Sequence, residues 1–130
     1  MEQKKILLIE DDEFLSDMYK TKFDSEGFSV TLASDGEAGL DILKGGLRPD
    51  AVLLDVVMPK MNGMEVLQKI KELEDLKDIN VIMFTNMGQK EDMEKAKALG
   101  AAGYIVKANF TPSEVVLEVN KILSNLNNKQ

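Results

Sequence analysis

Five short apolar runs constrain the fold of this chain more than any other feature of its sequence. They cover residues 6–9, 28–33, 50–54, 79–84 and 103–106. Nearly continuous apolar runs of this length are typical of strands that are buried on both faces of a parallel sheet. A segment with helical features follows each run, and strands that alternate with helices indicate a parallel sheet covered on both faces. The sequence therefore predicts an α/β fold, a doubly wound five-stranded parallel sheet with five helices.

Capping residues mark the starts of three of these helices. A side-chain acceptor followed three residues later by glutamate is the pattern expected at a helix N-terminus. The pairs are Ser34 with Glu37, Asn62 with Glu65, and Thr111 with Glu114. The last pair also has Pro112 at the first helical position, which makes it the clearest helix start in the chain.

Apolar residues at helical spacing predict which face of each helix is buried. In the first helix they are Phe14, Leu15, Met18, Tyr19 and Phe23. The fourth helix has the thinnest apolar face, which consists of Met93, Ala96 and Leu99. Because fewer buried contacts lower the free energy of local opening, we expect the fourth helix to be the most mobile.

Composition and charge disfavour several classes of function. The 130 residues fit one domain, predicted as residues 1–126 with a short tail at 127–130. The net charge of −7 argues against direct binding of nucleic acid or of a membrane surface. The sequence contains no cysteine and no histidine, so disulfides, thiolate metal sites and histidine catalysis are excluded. No signal peptide or membrane span is visible, and we expect a cytoplasmic protein.

Polar residues stand at the carboxyl ends of four of the predicted strands. They are Glu10, Asp11, Asp55, Thr85 and Lys107. Right-handed crossovers bring the carboxyl ends of all parallel strands to one edge of the sheet, where open α/β sheets bind ligands. We therefore expect these five side chains to gather at one site. Any one of them alone is more often a helix cap or a member of a surface ion pair.

The residue types at this edge suit phosphoryl transfer. Three carboxylates repel one another unless a cation neutralises them, and an all-oxygen site suits Mg²⁺. A lysine and a hydroxyl group beside a carboxylate would stabilise a phosphoryl group in transfer. Asp55 lies in the middle of the set and can act as the nucleophile, which would give an aspartyl phosphate.

The sequence resembles the receiver domain of bacterial two-component response regulators. The motifs that carry the resemblance are ILLIEDDE, LLDVVMPKMNGMEVL, VIMFT and GYIVK, in this order along the chain. The resemblance covers the chain from about Lys4 to Leu126. It implies a flavodoxin-like fold with the strand order 2-1-3-4-5. It also implies a phosphoacceptor signalling domain, not an enzyme in its own right, which promotes its own phosphorylation and dephosphorylation.

The resemblance also implies a role for individual residues. Asp55 matches the aspartate that accepts the phosphoryl group, and Lys107 matches the lysine that pairs with a phosphoryl oxygen. The Mg²⁺ ligands would be Glu10, Asp11, Asp55 and the backbone carbonyl of Val57. Thr85 matches the switch hydroxyl, and Tyr104 matches the aromatic residue that turns inward on activation.

Partners follow from the same resemblance. The phosphoryl group would come from a phosphohistidine on a sensor histidine kinase or on a histidine phosphotransfer protein. The signal would pass to a downstream protein target through the face formed by the fourth helix, the fifth strand and the fifth helix. No output domain is visible in the sequence, so we expect a stand-alone protein or a fragment of a longer one.

Two positions depart from the family pattern. Ala108 replaces the proline, held in the cis form, that normally follows the lysine, and Asn86 replaces a smaller residue after the switch hydroxyl. A cis bond before alanine costs about 2.5–4 kcal/mol, so a trans bond is expected between Lys107 and Ala108.

Three other functions compete with a phosphoacceptor. A receiver-like module could bind a protein without being phosphorylated, but the set of site residues is complete. An aspartate-nucleophile phosphatase would need a second aspartate two residues after Asp55, where this chain has Val57. A flavin carrier would need a phosphate-binding loop rich in Ser, Thr and Gly after the first strand, where this chain has acidic residues.

Overall fold

All five predicted strands are present in the computed structural model, which describes residues 3–127. The strands are Lys5–Ile9 (β1), Ser29–Ala33 (β2), Ala51–Leu54 (β3), Val81–Thr85 (β4) and Gly103–Val106 (β5). The helices are Glu13–Ser25 (α1), Gly36–Lys44 (α2), Gly63–Glu72 (α3), Lys90–Ala98 (α4) and Pro112–Asn127 (α5). A short 3₁₀ turn, Lys107–Asn109, connects β5 to the segment before α5. Of the tail predicted at 127–130, residues 128–130 lie outside the described residues.

The strands form one parallel sheet in the order β2-β1-β3-β4-β5, as predicted. The registers pair Ile9 with Leu54 across β1 and β3, and Thr85 with Val106 across β4 and β5. Parallel pairing in this register brings the carboxyl ends of β1, β3, β4 and β5 to the same edge. The doubly wound, flavodoxin-like architecture is therefore confirmed.

Alternate residues of the strands build two apolar layers, one on each face of the sheet. Leu7 and Ile9 of β1 face the layer formed with α2, α3 and α4, whereas Ile6 and Leu8 face the layer formed with α1 and α5. In the second layer, the rings of Tyr19 and Phe84 meet edge to face, with their centroids 4.8 Å apart. This pair lies beneath the carboxyl edge of the sheet and supports the side chains above it.

Helix starts agree with the sequence at two of the three predicted positions. Thr111 and Glu114 form a reciprocal capping box: each side chain accepts a hydrogen bond from the backbone N–H of the other. Asn62 caps α3 through the N–H of Glu65. The predicted box at Ser34 is wrong, because Asp35 has the extended conformation and accepts from the N–H of Ala38 at 2.8 Å. A carboxylate one residue further on takes the cap, and α2 begins at Gly36.

Two apolar residues lie outside the elements or layers predicted for them. Phe14 is 77% exposed, because the buried face of α1 consists of Ser16, Tyr19 and Phe23, and Phe14 lies on another side of the helix. Ile79 is buried but precedes β4, since its N–H donates to the carbonyl of Leu76 in a turn. The boundary of β4 consequently moves to Val81, and Thr85 becomes its last residue.

The loop between β3 and α3 returns the chain sharply towards Asp55. The N–H of Met61 donates to the carbonyl of Pro59 at 2.8 Å, which closes a γ-turn around Lys60 at a positive φ of 68°. Gly63 follows and donates to the carbonyl of Val56 at 2.9 Å. A Cβ on Gly63 would lie 2.1 Å from the carbonyl oxygen of Asp55. Only glycine permits this close approach, because any side chain would meet the backbone of Asp55 and Val56.

Every peptide bond in residues 3–127 is trans, including Lys107–Ala108, as predicted. None of the helices in the described part of the chain has the length and hydrophobicity needed to span a lipid bilayer.

Replacing Gly63 with alanine tests the close approach of α3 to the Asp55 loop. The added Cβ meets backbone atoms that have little room to move. We expect the free energy of unfolding to fall by about 1–3 kcal/mol, the usual cost of overpacking. Urea denaturation followed by circular dichroism measures this change.

Gly45→Ala is the matched control for this substitution. Gly45 has a right-handed helical backbone conformation, with φ at −76°, just past α2. A Cβ there would lie 3.3 Å from the Asp41 carbonyl oxygen, far less crowded than at Gly63, so we expect alanine to change the free energy of unfolding by less than about 1 kcal/mol. Equal urea midpoints for Gly63→Ala and Gly45→Ala would contradict the steric role assigned to Gly63.

Candidate functional site

The predicted site residues meet in one cleft at the carboxyl edge of the sheet. Glu10 follows β1, Asp55 follows β3, Thr85 ends β4 and Lys107 follows β5. Together with these four, the cleft is lined by Asp11, Asp12, Leu15, Val57, Asn86 and Met87. The sheet topology thus brings together side chains that are up to 97 residues apart in the sequence. Tyr104 does not line this cleft and lies on the neighbouring β5.

A buried ion cluster occupies the floor of the cleft. The Lys107 ammonium donates hydrogen bonds to Oε1 of Glu10 and, at 3.0 Å, to Oδ2 of Asp55. Glu10, Lys107 and Asp55 are only 3%, 7% and 9% exposed, respectively. The Lys107 ammonium also lies 5.1 Å from the centroid of the Phe84 ring, a distance suited to a cation–π contact. The lysine is therefore held between two carboxylates and above an aromatic ring.

Burial and ion pairing act in opposite directions on the pKa values of this cluster. Burial raises the pKa of Glu10 above its usual value, and the hydrogen bonds from Lys107 and Asp12 offset only part of that rise. Burial by itself would lower the pKa of Lys107. The hydrogen bond to Glu10, together with the charge and hydrogen bond of Asp55, outweighs burial, so the Lys107 pKa is raised. Lys107 therefore stays charged at neutral pH.

The remaining carboxylate oxygens are held by backbone N–H groups. Oε2 of Glu10 accepts from the N–H of Asp12 at 3.0 Å, and Oδ1 of Asp55 accepts from the N–H of Val57 at 3.1 Å. These bonds fix the orientation of both carboxylates. Val57 itself is exposed at the rim of the cleft.

Three carboxylates of the cleft could hold a metal ion. Glu10, Asp11 and Asp55 each offer an oxygen, and these oxygens lie within 4.8 Å of one another. Asp11 is exposed at the mouth of the cleft, and the other two are buried. Hard cations such as Mg²⁺ take oxygen ligands of this kind and keep several waters, which an open cleft permits. The donor set therefore fits a hard divalent cation.

Thr85 and Tyr104 are connected through the backbone of Met87. The buried Thr85 hydroxyl accepts from the N–H of Met87 at 3.3 Å, and the Tyr104 hydroxyl donates to the carbonyl of Met87. Burial raises the pKa of Tyr104, with further contributions from the charges of Asp92 and Asp55. Residue type carries no signal for Met87, because the connection is made by its backbone N–H and carbonyl, which every residue except proline has.

Comparisons with known proteins place the chain in a family. A family model described as the response regulator receiver domain matches residues 6–120. The chain belongs to this family. The resemblance inferred from the motifs is therefore confirmed.

Relatives of this receiver domain include transcriptional and response regulators. The transcriptional regulatory protein CpxR of Klebsiella pneumoniae is 41% identical over 119 residues, which are 92% of this chain and 49% of CpxR. The response regulator SaeR of Staphylococcus aureus is 32% identical over 121 residues, 93% of this chain and 51% of SaeR. This chain thus spans about half the length of the curated relatives that it matches.

Solved structures of receiver domains share the fold closely. The chemotaxis protein CheY4 of Vibrio cholerae superposes with a TM-score of 0.85 at 26% identity, covering 93% of this chain and 99% of CheY4. A CheY-like receiver domain protein from Methanospirillum hungatei gives a TM-score of 0.87, also at 26% identity, over 99% of this chain and 100% of that one.

Replacing Lys107 with methionine tests the ion cluster. Removal of one partner leaves Glu10 and Asp55 buried without their shared cation, which typically costs about 3–5 kcal/mol. The Glu10 pKa should then rise further. A group whose folded-state pKa exceeds its unfolded value stabilises the fold at low pH, and this contribution is lost as pH rises through the folded pKa. We therefore expect a larger loss of stability at pH 7 than at pH 5 in urea denaturation without divalent cations.

The variant Glu10→Gln combined with Lys107→Met is the control for this prediction. It removes the buried carboxylate together with the cation, so part of the stability at pH 7 should return. The electrostatic explanation would be contradicted if Lys107→Met lost the same free energy of unfolding at pH 5 and pH 7, and if the double variant lost as much.

Proposed function

We propose that this receiver domain accepts a phosphoryl group on Asp55 in a Mg²⁺-dependent reaction and signals through a change in conformation. The observation that carries the proposal is the convergence of Lys107 and three carboxylates on one cleft around Asp55. The donor would be a phosphohistidine on a sensor histidine kinase or on a histidine phosphotransfer protein. Family membership and the complete set of site residues support this function over that of a phosphorylation-independent binding module.

The chemistry requires a carboxylate oxygen that is oriented and accessible. An oxygen of Asp55 would attack the phosphorus atom, the bond between phosphorus and the donor nitrogen would break, and an acyl phosphate would form. The N–H of Val57 and the Lys107 ammonium each hold one Asp55 oxygen and so orient the carboxylate. Lys107 would then balance negative charge on the transferred group. The receiver would act as the phosphoacceptor, not as an enzyme on a further substrate, and would promote its own phosphorylation and dephosphorylation.

The acidic cluster would hold the metal ion. Glu10, Asp11 and Asp55 would supply side-chain oxygens, and Val57 would supply its backbone carbonyl. When bound, Mg²⁺ would supply positive charge that stabilises the phosphoryl oxygens. The phosphoryl group adds about −1.5 to −2 charges to a cleft that already contains three carboxylates, so Lys107 alone could not balance the total.

Thr85 and Tyr104 would report the phosphoryl group. Thr85 stands at the end of β4 with its hydroxyl bonded to the N–H of Met87, and Tyr104 is bonded to the carbonyl of the same residue. A Thr85 hydroxyl drawn towards the phosphoryl group would release the Met87 N–H and move this loop. Tyr104 would lose its acceptor and turn inward.

The output would pass to a downstream protein through α4, β5 and α5. The sheet-facing side of α4 buries only Ala96 fully, so this helix can shift at low cost. The net charge of −7 supports a protein target, with no direct contact to nucleic acid or to a membrane. The receiver would act in the cytoplasm, where histidine kinases present their phosphohistidine.

Incubation with acetyl phosphate tests the site of phosphorylation. With Mg²⁺ present, we expect the intact mass of the chain to increase by one phosphoryl group. Asp55→Asn should abolish the increase because the amide lacks the nucleophilic oxygen, and chelation of Mg²⁺ should do the same. Asp12→Asn is a matched control, since Asp12 lines the same cleft but caps α1, and asparagine caps equally well. Labelling of Asp55→Asn equal to that of Asp12→Asn would overturn the assignment.

Substitutions at Thr85 and Lys107 separate reporting from chemistry. Thr85→Ala should still be phosphorylated but should lose the change in amide NMR shifts around Tyr104, whereas Thr85→Ser keeps the hydroxyl and should retain it. Lys107→Ala should slow phosphorylation by on the order of 100-fold, because a preorganised charge at the transferred group is lost. If phosphorylation changed the amide NMR shifts around Tyr104 equally in wild type and in Thr85→Ala, the switch role would be ruled out.

A further inference from the structure

A side-chain hydrogen bond joins the two loops that follow β4 and β5. Oδ1 of Asn86 accepts from the backbone N–H of Ala108 at 2.9 Å. Thr85 and Val106 are the last paired residues of these strands, so the bond lies directly beyond the end of their ladder. It thus connects the residue after Thr85 to the residue after Lys107, across 22 positions of sequence.

The loop that contains Lys107 needs a tether of this kind. Lys107 opens the 3₁₀ turn, and the turn itself supplies the bond from the N–H of Phe110 to the carbonyl of Lys107 at 3.2 Å. The first N–H groups of such a turn have no acceptor within it. Ala108 and Asn109 are both exposed, so little packing holds this backbone in place. Asn86 supplies the acceptor that the Ala108 N–H lacks.

The chemistry of this contact makes residues 86 and 108 depend on each other. A backbone N–H can only donate, so the amide oxygen of Asn86 must face Ala108. A proline at position 108 would have no N–H to donate, and alanine at position 86 would have no oxygen to accept. The two positions where the sequence departs from the family pattern are therefore the two ends of one hydrogen bond.

We infer that Asn86 is a positioning residue for Lys107. The hydrogen bond to Ala108 fixes the backbone directly after Lys107 against the end of β4, and this holds the Lys107 ammonium over the Phe84 ring and on Asp55. The same bond keeps the ends of β4 and β5 together at the mouth of the cleft, which Asn86 lines. The expected effect of Asn86 on the phosphorylation rate rests on the proposed function. The positioning of Lys107 by Asn86 is independent of it.

Replacing Asn86 with leucine removes the acceptor and keeps a side chain of similar size. Amide hydrogen exchange at Ala108 should become about five-fold faster, the effect of losing one ordinary hydrogen bond. Phosphorylation by acetyl phosphate with Mg²⁺ should slow by about the same factor. Asn86→Asp keeps an acceptor oxygen and should restore the slow exchange at Ala108.

Gln89→Leu is the matched control within the same loop. Gln89 is also an exposed side-chain amide, and it makes no capping hydrogen bond to α4. This variant should keep both the exchange rate at Ala108 and the phosphorylation rate of the wild type. Unchanged exchange at Ala108 in Asn86→Leu would overturn the tether. If the wild type is phosphorylated, a phosphorylation rate of Asn86→Leu equal to that of Gln89→Leu would overturn the positioning role.

A second measurement separates this inference from the proposed function. If Asn86 acts through Lys107, the shift in urea midpoint caused by Asn86→Leu should shrink in a Lys107→Met background. Additive shifts in the two backgrounds would overturn the inference, whether or not Asp55 is phosphorylated. If the wild-type chain takes no phosphoryl group but the urea-midpoint shifts are not additive, the proposed function is overturned and the positioning role of Asn86 stands.

Discussion

A buried ammonium between two carboxylates is the interaction on which the rest of this structure depends. Transfer of each charge of Glu10, Lys107 and Asp55 out of water costs several kcal/mol, which only close pairing and further hydrogen bonds can offset. Such pairing needs the ends of β1, β3 and β5 in fixed relative positions. The parallel sheet supplies this through a central strand, β3, that is buried on both faces. The apolar layers therefore contribute stability, and they also hold three charged groups within hydrogen-bonding distance.

Rigidity and mobility are distributed around this cluster in a way that suits a switch. Below it, Phe84 and Tyr19 pack edge to face, and Gly63 brings the first turn of α3 against the backbone of Asp55. Above it, the loops after β4 and β5 are mostly exposed and are held by a few hydrogen bonds, two at Met87 and one at Ala108. If the charge on Asp55 changed, the packed residues below the cluster would resist displacement, whereas the exposed loops after β4 and β5 could move. Under the proposed function, motion would be directed towards the side of the sheet that carries α4 and β5.

The sequence predicted the fold and the meeting of its charged residues at one edge of the sheet, because both follow from patterns that are local in the chain. Strand runs and capping boxes gave the elements, and the rule that parallel strands end on one edge brought Glu10, Asp55 and Lys107 together. The errors arose where a contact distant in sequence or a single backbone angle decides. Phe14 has the spacing of a core residue but is exposed by the start of α1. Contacts made by backbone atoms, such as that of Gly63 with Asp55, leave no signature in residue type beyond the glycine itself.

The ion cluster also explains how one site could distinguish its two proposed states. In the present arrangement, Lys107 divides its hydrogen bonds between Glu10 and Asp55, and each carboxylate keeps a second oxygen on a backbone N–H. A phosphoryl group on Asp55 would take one of its oxygens into a covalent bond and present more negative charge to Lys107 than Glu10 does. The ammonium would then favour the phosphoryl oxygens and release Oε1 of Glu10. A buried carboxylate cannot remain unpaired at low cost, so Glu10 would need a new positive partner. A divalent cation shared with Asp11 meets that need, and phosphorylation and cation binding would therefore reinforce each other through the one lysine that Asn86 holds in place.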